Sequence, residues 1–268
     1  MSKIVFLGFA SNSFSENNNV SFLYKNGKDI MLVDCGASAL HNIHSVVDNL
    51  ADINYCFVSH SHYDHFLGLP YFLIGRNLDI IARKKLNPNY KASELNIIIT
   101  KPLRKLISTL QGTCHPDVKS LSYPINYIDM DEMTNVQTSM FKLQIKKMNH
   151  SVETFGFSLF EGKEKVLSYS ADTLFDQEIV DFFKGSNYLI LEGMVSDSED
   201  TFSKVAKHAT FSEALKTFFE VNPKYAFVVH LQPRYFNKID EINQELSNKG
   251  NNRIGFPQIG EWYDLLCV

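Results

Sequence analysis

Within six residues, His60-Ser61-His62-Tyr63-Asp64-His65 carries three imidazoles and a carboxylate. Imidazole nitrogen and carboxylate oxygen suit zinc and also manganese or iron, and a catalytic site takes three protein ligands while leaving a position for water. So dense a cluster carries a heavy desolvation and crowding cost unless a cation organises it. A second cation needs further ligands. His150, Asp172 and His230 supply them, each just beyond an apolar β-rich run that ends at Met148, Ser170 or Val229. Two divalent cations roughly 3.5–4 Å apart make water nucleophilic at neutral pH and brace attacking and leaving oxygens. The expected chemistry is therefore hydrolysis. His41, His44 and His115 have no such company and read as ordinary structural histidines.

The elements that must position these residues follow from hydrophobic periodicity. The opening reads as three strands, at 3–9, 20–25 and 29–34, punctuated by Asn and Gly. A helix capped by Ser38 is expected next, from Leu40, Ile43, Val46, Val47 and Leu50. A buried-type strand at 55–58 then runs directly into the histidine loop. Further strand runs lie at 97–100, 141–148, 156–160, 166–170, 188–191 and 225–229, and helical patterns at 103–110, 176–183, 211–221 and 239–246. Strands in both halves with helices between them predict an α/β fold, an αββα sandwich of two mixed sheets packed face to face with helices outside. His60, Asp172, Glu192 and His230 all fall at strand ends, where such scaffolds present chemistry.

Composition narrows the classes. The chain has 268 residues, 44% of them hydrophobic, and no repeat or linker divides it, so residues 1–268 read as one domain. No apolar run approaches the ~20 residues needed to span a bilayer, and the opening lacks a signal-peptide pattern, which predicts no membrane association and a cytoplasmic location. Cys35, Cys56, Cys114 and Cys267 lack paired spacing and are expected to be free, mostly buried thiols. A net charge of -4 argues against broad nucleic-acid coating. One basic stretch, Arg83, Lys84, Lys85, Lys91, Lys101, Arg104 and Lys105, runs against that average, and a solvated surface is its expected role. A homodimer is the commonest assembly and the default expectation.

With these residues in view, the chain resembles the metallo-β-lactamase-fold hydrolase superfamily, whose H-x-H-x-D-H motif it matches in full. The likeness extends to Phe6-Leu7-Gly8, Val33-Asp34-Cys35-Gly36, Phe66-Leu67-Gly68-Leu69-Pro70, His150 with Gly156, and Tyr169-Ser170-Ala171-Asp172-Thr173. The resemblance implies that His60, His62 and His150 hold one metal ion and Asp64, His65 and His230 the other, with Asp172 bridging. It implies two divalent ions, zinc first with manganese or iron as alternatives, and makes Asp34 a group steadying the ligand loop.

Within the superfamily the chain is most similar to the ribonuclease Z and phosphodiesterase branch. Leu191-Glu192-Gly193, His208-Ala209-Thr210 and His230-Leu231-Gln232-Pro233-Arg234-Tyr235 carry that similarity. It implies that Glu192 orients His208 as proton donor to the leaving oxygen and that Asp64 takes part in catalysis. Thr210 and Arg234 are implied as substrate-binding residues. Gln232 departs from the branch, which has serine there. The long RNA-gripping arm of transfer-RNA processing enzymes also has no room between Phe160 and Asp172. The expected substrate is thus a phosphodiester, a small or cyclic molecule or RNA, cleaved by a metal-dependent phosphodiesterase. Two alternatives stay open: lactone, carboxyl-ester or thioester hydrolysis on the same metal pair, and a non-catalytic binding module.

Overall fold

The computed structural model describes residues 2–11, 16–115, 120–131 and 134–265. Cys267, one of the expected free thiols, lies outside the described residues. In the first half come β1 (Ser2–Gly8), β2 (Ser21–Asn26), β3 (Asp29–Val33), α1 (Ile43–Val46), β4 (Tyr55–Phe57), α2 (Tyr63–Phe66), α3 (Leu69–Leu86), β5 (Leu95–Ile99), α4 (Lys101–Cys114) and β6 (Ile125–Asp129). The second half adds β7 (Asn135–Gln137), β8 (Lys142–Lys147), β9 (Phe155–Glu161), β10 (Glu164–Tyr169), α5 (Gln177–Phe183), β11 (Tyr188–Glu192), α6 (Asp200–Ala206), α7 (Phe211–Val221), β12 (Tyr225–Val229), α8 (Ile239–Lys249), β13 (Ile254–Gly255) and β14 (Trp262–Leu265). They build two seven-stranded mixed sheets, ordered β14-β1-β2-β3-β4-β5-β6 and β13-β12-β11-β10-β9-β8-β7.

Alternation along the strands decides the layering, because successive side chains point to opposite faces. In β1, Ile4 and Phe6 join the core shared with Phe157, Leu167 and Phe227 of the second sheet. Val5 and Leu7 point the other way, into a separate core with Phe72, Leu73 and Ile80 of α3 and Leu103 and Ile107 of α4. The second sheet is covered on its far side by α5 and α7, whose Ile179, Phe183, Ala214 and Phe218 are buried. The αββα sandwich expected from the sequence is therefore the observed architecture.

Two local expectations differ. The helix capped by Ser38 is absent as such. A short 3-10 turn (Ala39–Asn42), the single turn α1 and a second 3-10 turn (Leu50–Asp52) take its place. Ser38 does not cap, because its hydroxyl is engaged with Asn19, donating to Oδ1 at 2.8 Å and accepting from the Asn19 N–H at 2.8 Å. Val47 then leaves the helix in an extended conformation. The 18-residue α3, by contrast, lies where the sequence gives a poor amphipathic signal. Between β9 and β10 the chain turns tightly at Gly162, whose φ of 59° is left-handed, so this connection is a hairpin with no inserted arm.

Candidate metal centre

The site gathers where strands of both sheets end. Asp34 follows β3, and Ser59 and His60 follow β4. Asp172 lies just past β10, Glu192 ends β11 and His230 follows β12. Parallel pairing of β3 with β4, β10 with β11 and β11 with β12 puts these ends on one edge of the sandwich. His62 precedes α2, which carries Asp64 and His65.

Three groups of donor atoms converge there. One ligand atom each from His60, His62, His150 and Asp172 lie within 4.8 Å of one another, as do those of Asp64, His65 and His230 and those of Asp172, Glu192, His208 and His230. Asp172 stands between the first two groups. Its Oδ2 is 3.4 Å from His60 Nε2 and 3.2 Å from His230 Nε2, and its Oδ1 is 3.3 Å from His65 Nε2. All seven ligands expected from the sequence are thus brought together.

Whether these residues fit a cation is decided by their unused valences. His60 Nε2, His65 Nε2 and Asp172 Oδ2 are buried without a hydrogen-bond partner, which is costly unless something else binds them. The opposite nitrogens are already committed. His65 Nδ1 donates to Asp34 Oδ2 at 2.8 Å, and His150 Nδ1 donates to the Lys207 carbonyl at 2.8 Å, so each ring turns a lone pair at Nε2 inward. His62 Nδ1 and His150 Nε2 face each other at 3.2 Å, as two lone pairs aimed at one point would. The set fits divalent-cation binding.

Electrostatics agree. Burial, with His65 nearby, pushes His60 down to about 4, and burial also lowers His62 and His150, leaving neutral imidazoles able to coordinate. Burial opposes charge on His65 and His230 too. There the carboxylates win: Asp172, Asp34 and Asp64 hold His65 high, and Asp172, Asp64 and Glu192 raise His230 to about 10. Four buried acids, Asp34, Asp64, Asp172 and Glu192, need positive charge among them, and protons on these histidines and bound cations are alternative sources of it.

Beside the candidate ligands sits a second device. The Glu192 side chain is fully buried. Its Oε2 accepts from the Thr173 N–H at 2.6 Å and the Ala209 N–H at 3.3 Å, while Oε1 accepts from His208 Nδ1. Burial disfavours charge on His208, but the Glu192 carboxylate outweighs it and the net shift is upward. His208 is stacked on His230 with ring centres 5.1 Å apart, and Nε2 is left as the nitrogen available to a ligand. A cavity of about 270 Å³ opens over the cluster, lined by Ser11, His62, Tyr63, Asp64, Asp172, Met194, His208 and His230.

Two expected substrate residues do not reach that cavity. Thr210 caps α7, its hydroxyl accepting from the Glu213 N–H at 3.3 Å while the Glu213 carboxylate accepts from the Thr210 N–H at 2.8 Å. Arg234 is half-exposed and held by Glu199 at 2.7 Å and by Gln232 Oε1. Gln232 is longer than the serine of the branch and reaches the guanidinium two residues on. The basic stretch is paired in part: Arg83 pairs with Asp52 at 2.9 Å and Arg104 with Asp129 at 3.1 Å, while Lys84 donates to the Ser122 carbonyl at 2.9 Å. A larger, open cavity of about 870 Å³ lies at the opposite strand ends, near Asp29 and Tyr55, away from the cluster. Sequence reasoning did not single out Ser59, whose hydroxyl sits 2.8 Å from Asp34 Oδ2 and 2.9 Å from His60 Nδ1. Its place directly before the first histidine was the only signal.

Comparison with known proteins agrees with this geometry. A family model described as Anti-Pycsar protein Apyc1 matches residues 2–249. Ribonuclease Z of Prochlorococcus marinus (strain MIT 9215) is 25% identical over 292 residues, covering 88% of this chain and 89% of that enzyme. Among solved structures, the metallo-beta-lactamase fold protein YhfI from Bacillus subtilis superimposes with a TM-score of 0.80 at 17% identity, covering 98% of both chains. The short form of human tRNase Z gives 0.77 at 18% identity, covering 100% of both. The fold is that of the metallo-β-lactamases.

Proposed function

The chain belongs to the family described as Anti-Pycsar protein Apyc1, and on that premise we propose that it is a metal-dependent phosphodiesterase acting on a small or cyclic phosphodiester. His60, His62, His150 and Asp172 would hold one cation, and Asp64, His65 and His230 would hold the other. When bound, such a pair supplies Lewis acidity toward phosphoryl oxygens and a water-derived nucleophile at neutral pH.

The chain's own residues do the rest. His208 Nε2 gives its proton to the departing oxygen as the P–O bond breaks. Glu192 keeps His208 charged and fixes its ring through Nδ1. Asp64, which lines the cavity, accepts a hydrogen bond from the attacking water and orients it. The observation that carries the reading is the buried Glu192–His208 pair beside both ligand groups. A carbonyl substrate with a good leaving group has less need of such a proton donor.

Scale and charge favour a small substrate over RNA. The 270 Å³ cavity suits a compact ligand. The β9–β10 connection is a bare hairpin, and the net charge of -4 disfavours broad phosphate contact. The ribonuclease Z relatives support phosphodiester chemistry rather than this choice of substrate. The test is a panel of bis-p-nitrophenyl phosphate, cyclic nucleotides, short RNA, precursor transfer RNA and lactones on metal-loaded protein. Cyclic or small phosphodiesters should turn over fastest, and His208→Ala should lower kcat by ~10²–10⁴-fold. Faster lactone turnover, or an unaffected His208→Ala, would sink the proposal.

A further inference from the structure

We propose that Tyr169 is a positioning residue: its hydroxyl, donated to Asp34 across the two sheets, holds the Asp34–His65 pair and thereby strengthens the cation position formed by Asp64, His65 and His230. The inference rests on the two-cation reading above.

Tyr169 ends β10 in the second sheet, whereas Asp34 follows β3 in the first. Their side chains meet with Tyr169 Oη donating to Asp34 Oδ2 at 2.7 Å, across 135 residues of sequence. Both residues are 0% exposed, so no water replaces this bond. Among the described residues, the remaining donors to the Asp34 carboxylate come from the ligand loop itself: the Ser59 N–H at 2.7 Å, Ser59 Oγ at 2.8 Å and His65 Nδ1 at 2.8 Å. Ser21 of β2 holds the Asp34 main-chain carbonyl at 2.7 Å, and Tyr169 is the donor from outside that loop that reaches the carboxylate.

Asp34 has need of an anchor. Its backbone is left-handed, with φ of 54°, a conformation that costs a non-glycine residue roughly 1 kcal/mol or more. The tyrosine ring is itself fixed by packing, edge-on to Phe22 at 5.3 Å and tilted against Phe157 at 5.8 Å. Burial and the Asp34 charge keep its phenol protonated, hence a donor. The consequence is directional. Tyr169 fixes Asp34, Asp34 fixes His65 Nδ1, and His65 Nε2 is aimed at the cation. Ser59 differs, because its hydroxyl also touches His60 Nδ1 at 2.9 Å and so bears on both cation positions.

The test is zinc titration of chelator-stripped wild type, Tyr169→Phe and Ser59→Ala against a competing colorimetric chelator, with melting temperatures of the stripped proteins alongside. Wild type should take up two equivalents. Tyr169→Phe should bind one of them about tenfold more weakly and the other unchanged, with a melting temperature near wild type. Ser59→Ala should weaken both. In a His62→Ala background, which cripples the other position, the tenfold loss should persist in the remaining equivalent. Equal weakening of both equivalents by Tyr169→Phe, or none, overturns the inference while leaving the metal centre intact. A wild type that binds no zinc overturns both. Should Tyr169→Phe not fold, Asp34→Asn must weaken one equivalent clearly more than the other, and equal weakening of both there is the overturning result.

Discussion

At the scale of single residues, the centre depends on what lies behind the ligands. Glu192 shows this most clearly, being a fully buried carboxylate that accepts from His208, Thr173 and Ala209 and sits 3.1 Å from His230 Nδ1. Truncating it would strand several donors, so the informative change is Glu192→Gln. The amide oxygen still accepts from the Thr173 and Ala209 N–H groups, but His208 loses its negative partner and becomes neutral, a far weaker acid. We expect kcat to fall by about 10²-fold with KM nearly constant. An unchanged kcat would reduce Glu192 to a structural role. Glu192 and His208 were legible as a pair only through the resemblance of their short segments. Ser59 and Tyr169 were not legible as partners of Asp34, because nothing in their own types or spacing announces contacts made 25 and 135 residues away.

At the scale of elements, the legible parts are those whose periodicity matches their burial. The helix α7 was expected at 211–221 and occurs there, with Thr210 and Glu213 forming a reciprocal cap. Thr210→Ala should therefore cost about 1 kcal/mol, a fall of roughly 2–4 °C in Tm, with KM unchanged. A several-fold rise in KM without thermal loss would instead return Thr210 to the substrate. In α3, Leu69, Phe72, Leu73, Arg76, Asn77 and Ile80 form a regular buried stripe. Arg76 and Asn77 occupy two of those positions while Tyr71, Leu78 and Leu86 face outward, which hides the stripe from a hydrophobicity pattern. Arg76 is tolerated inside because its guanidinium donates to the carbonyls of Ala51, Ile53 and Ser93 and lies over the Tyr123 ring. The segment from Ser38 to Leu50 failed in the opposite sense, because Asn19 claims the hydroxyl that would have capped a helix.

At the scale of the molecule, the centre is a joint between two sheets. His60, His62, Asp64 and His65 come from the first, and His150, Asp172 and His230 from the second. Cations bound at that joint stabilise only the folded arrangement, so stability and metal content are linked. At a free zinc concentration about 1,000 times Kd, one site adds about 4 kcal/mol. Chelation should lower the Tm measured by calorimetry, and added zinc should restore it; an indifferent Tm would refute the linkage. The sequence by itself determined which histidines and aspartates stand out as candidate ligands, the alternation that makes two sheets, and the placing of those residues at strand ends, because these are local properties of residue type and period. Only the tertiary structure showed that Thr210 caps α7, that Arg234 pairs with Glu199, and that Asp34 is gripped from both sheets. Such partnerships are contacts between distant segments, and hydrogen bonds of that kind come into being only when the packing of two cores brings their donors and acceptors within reach.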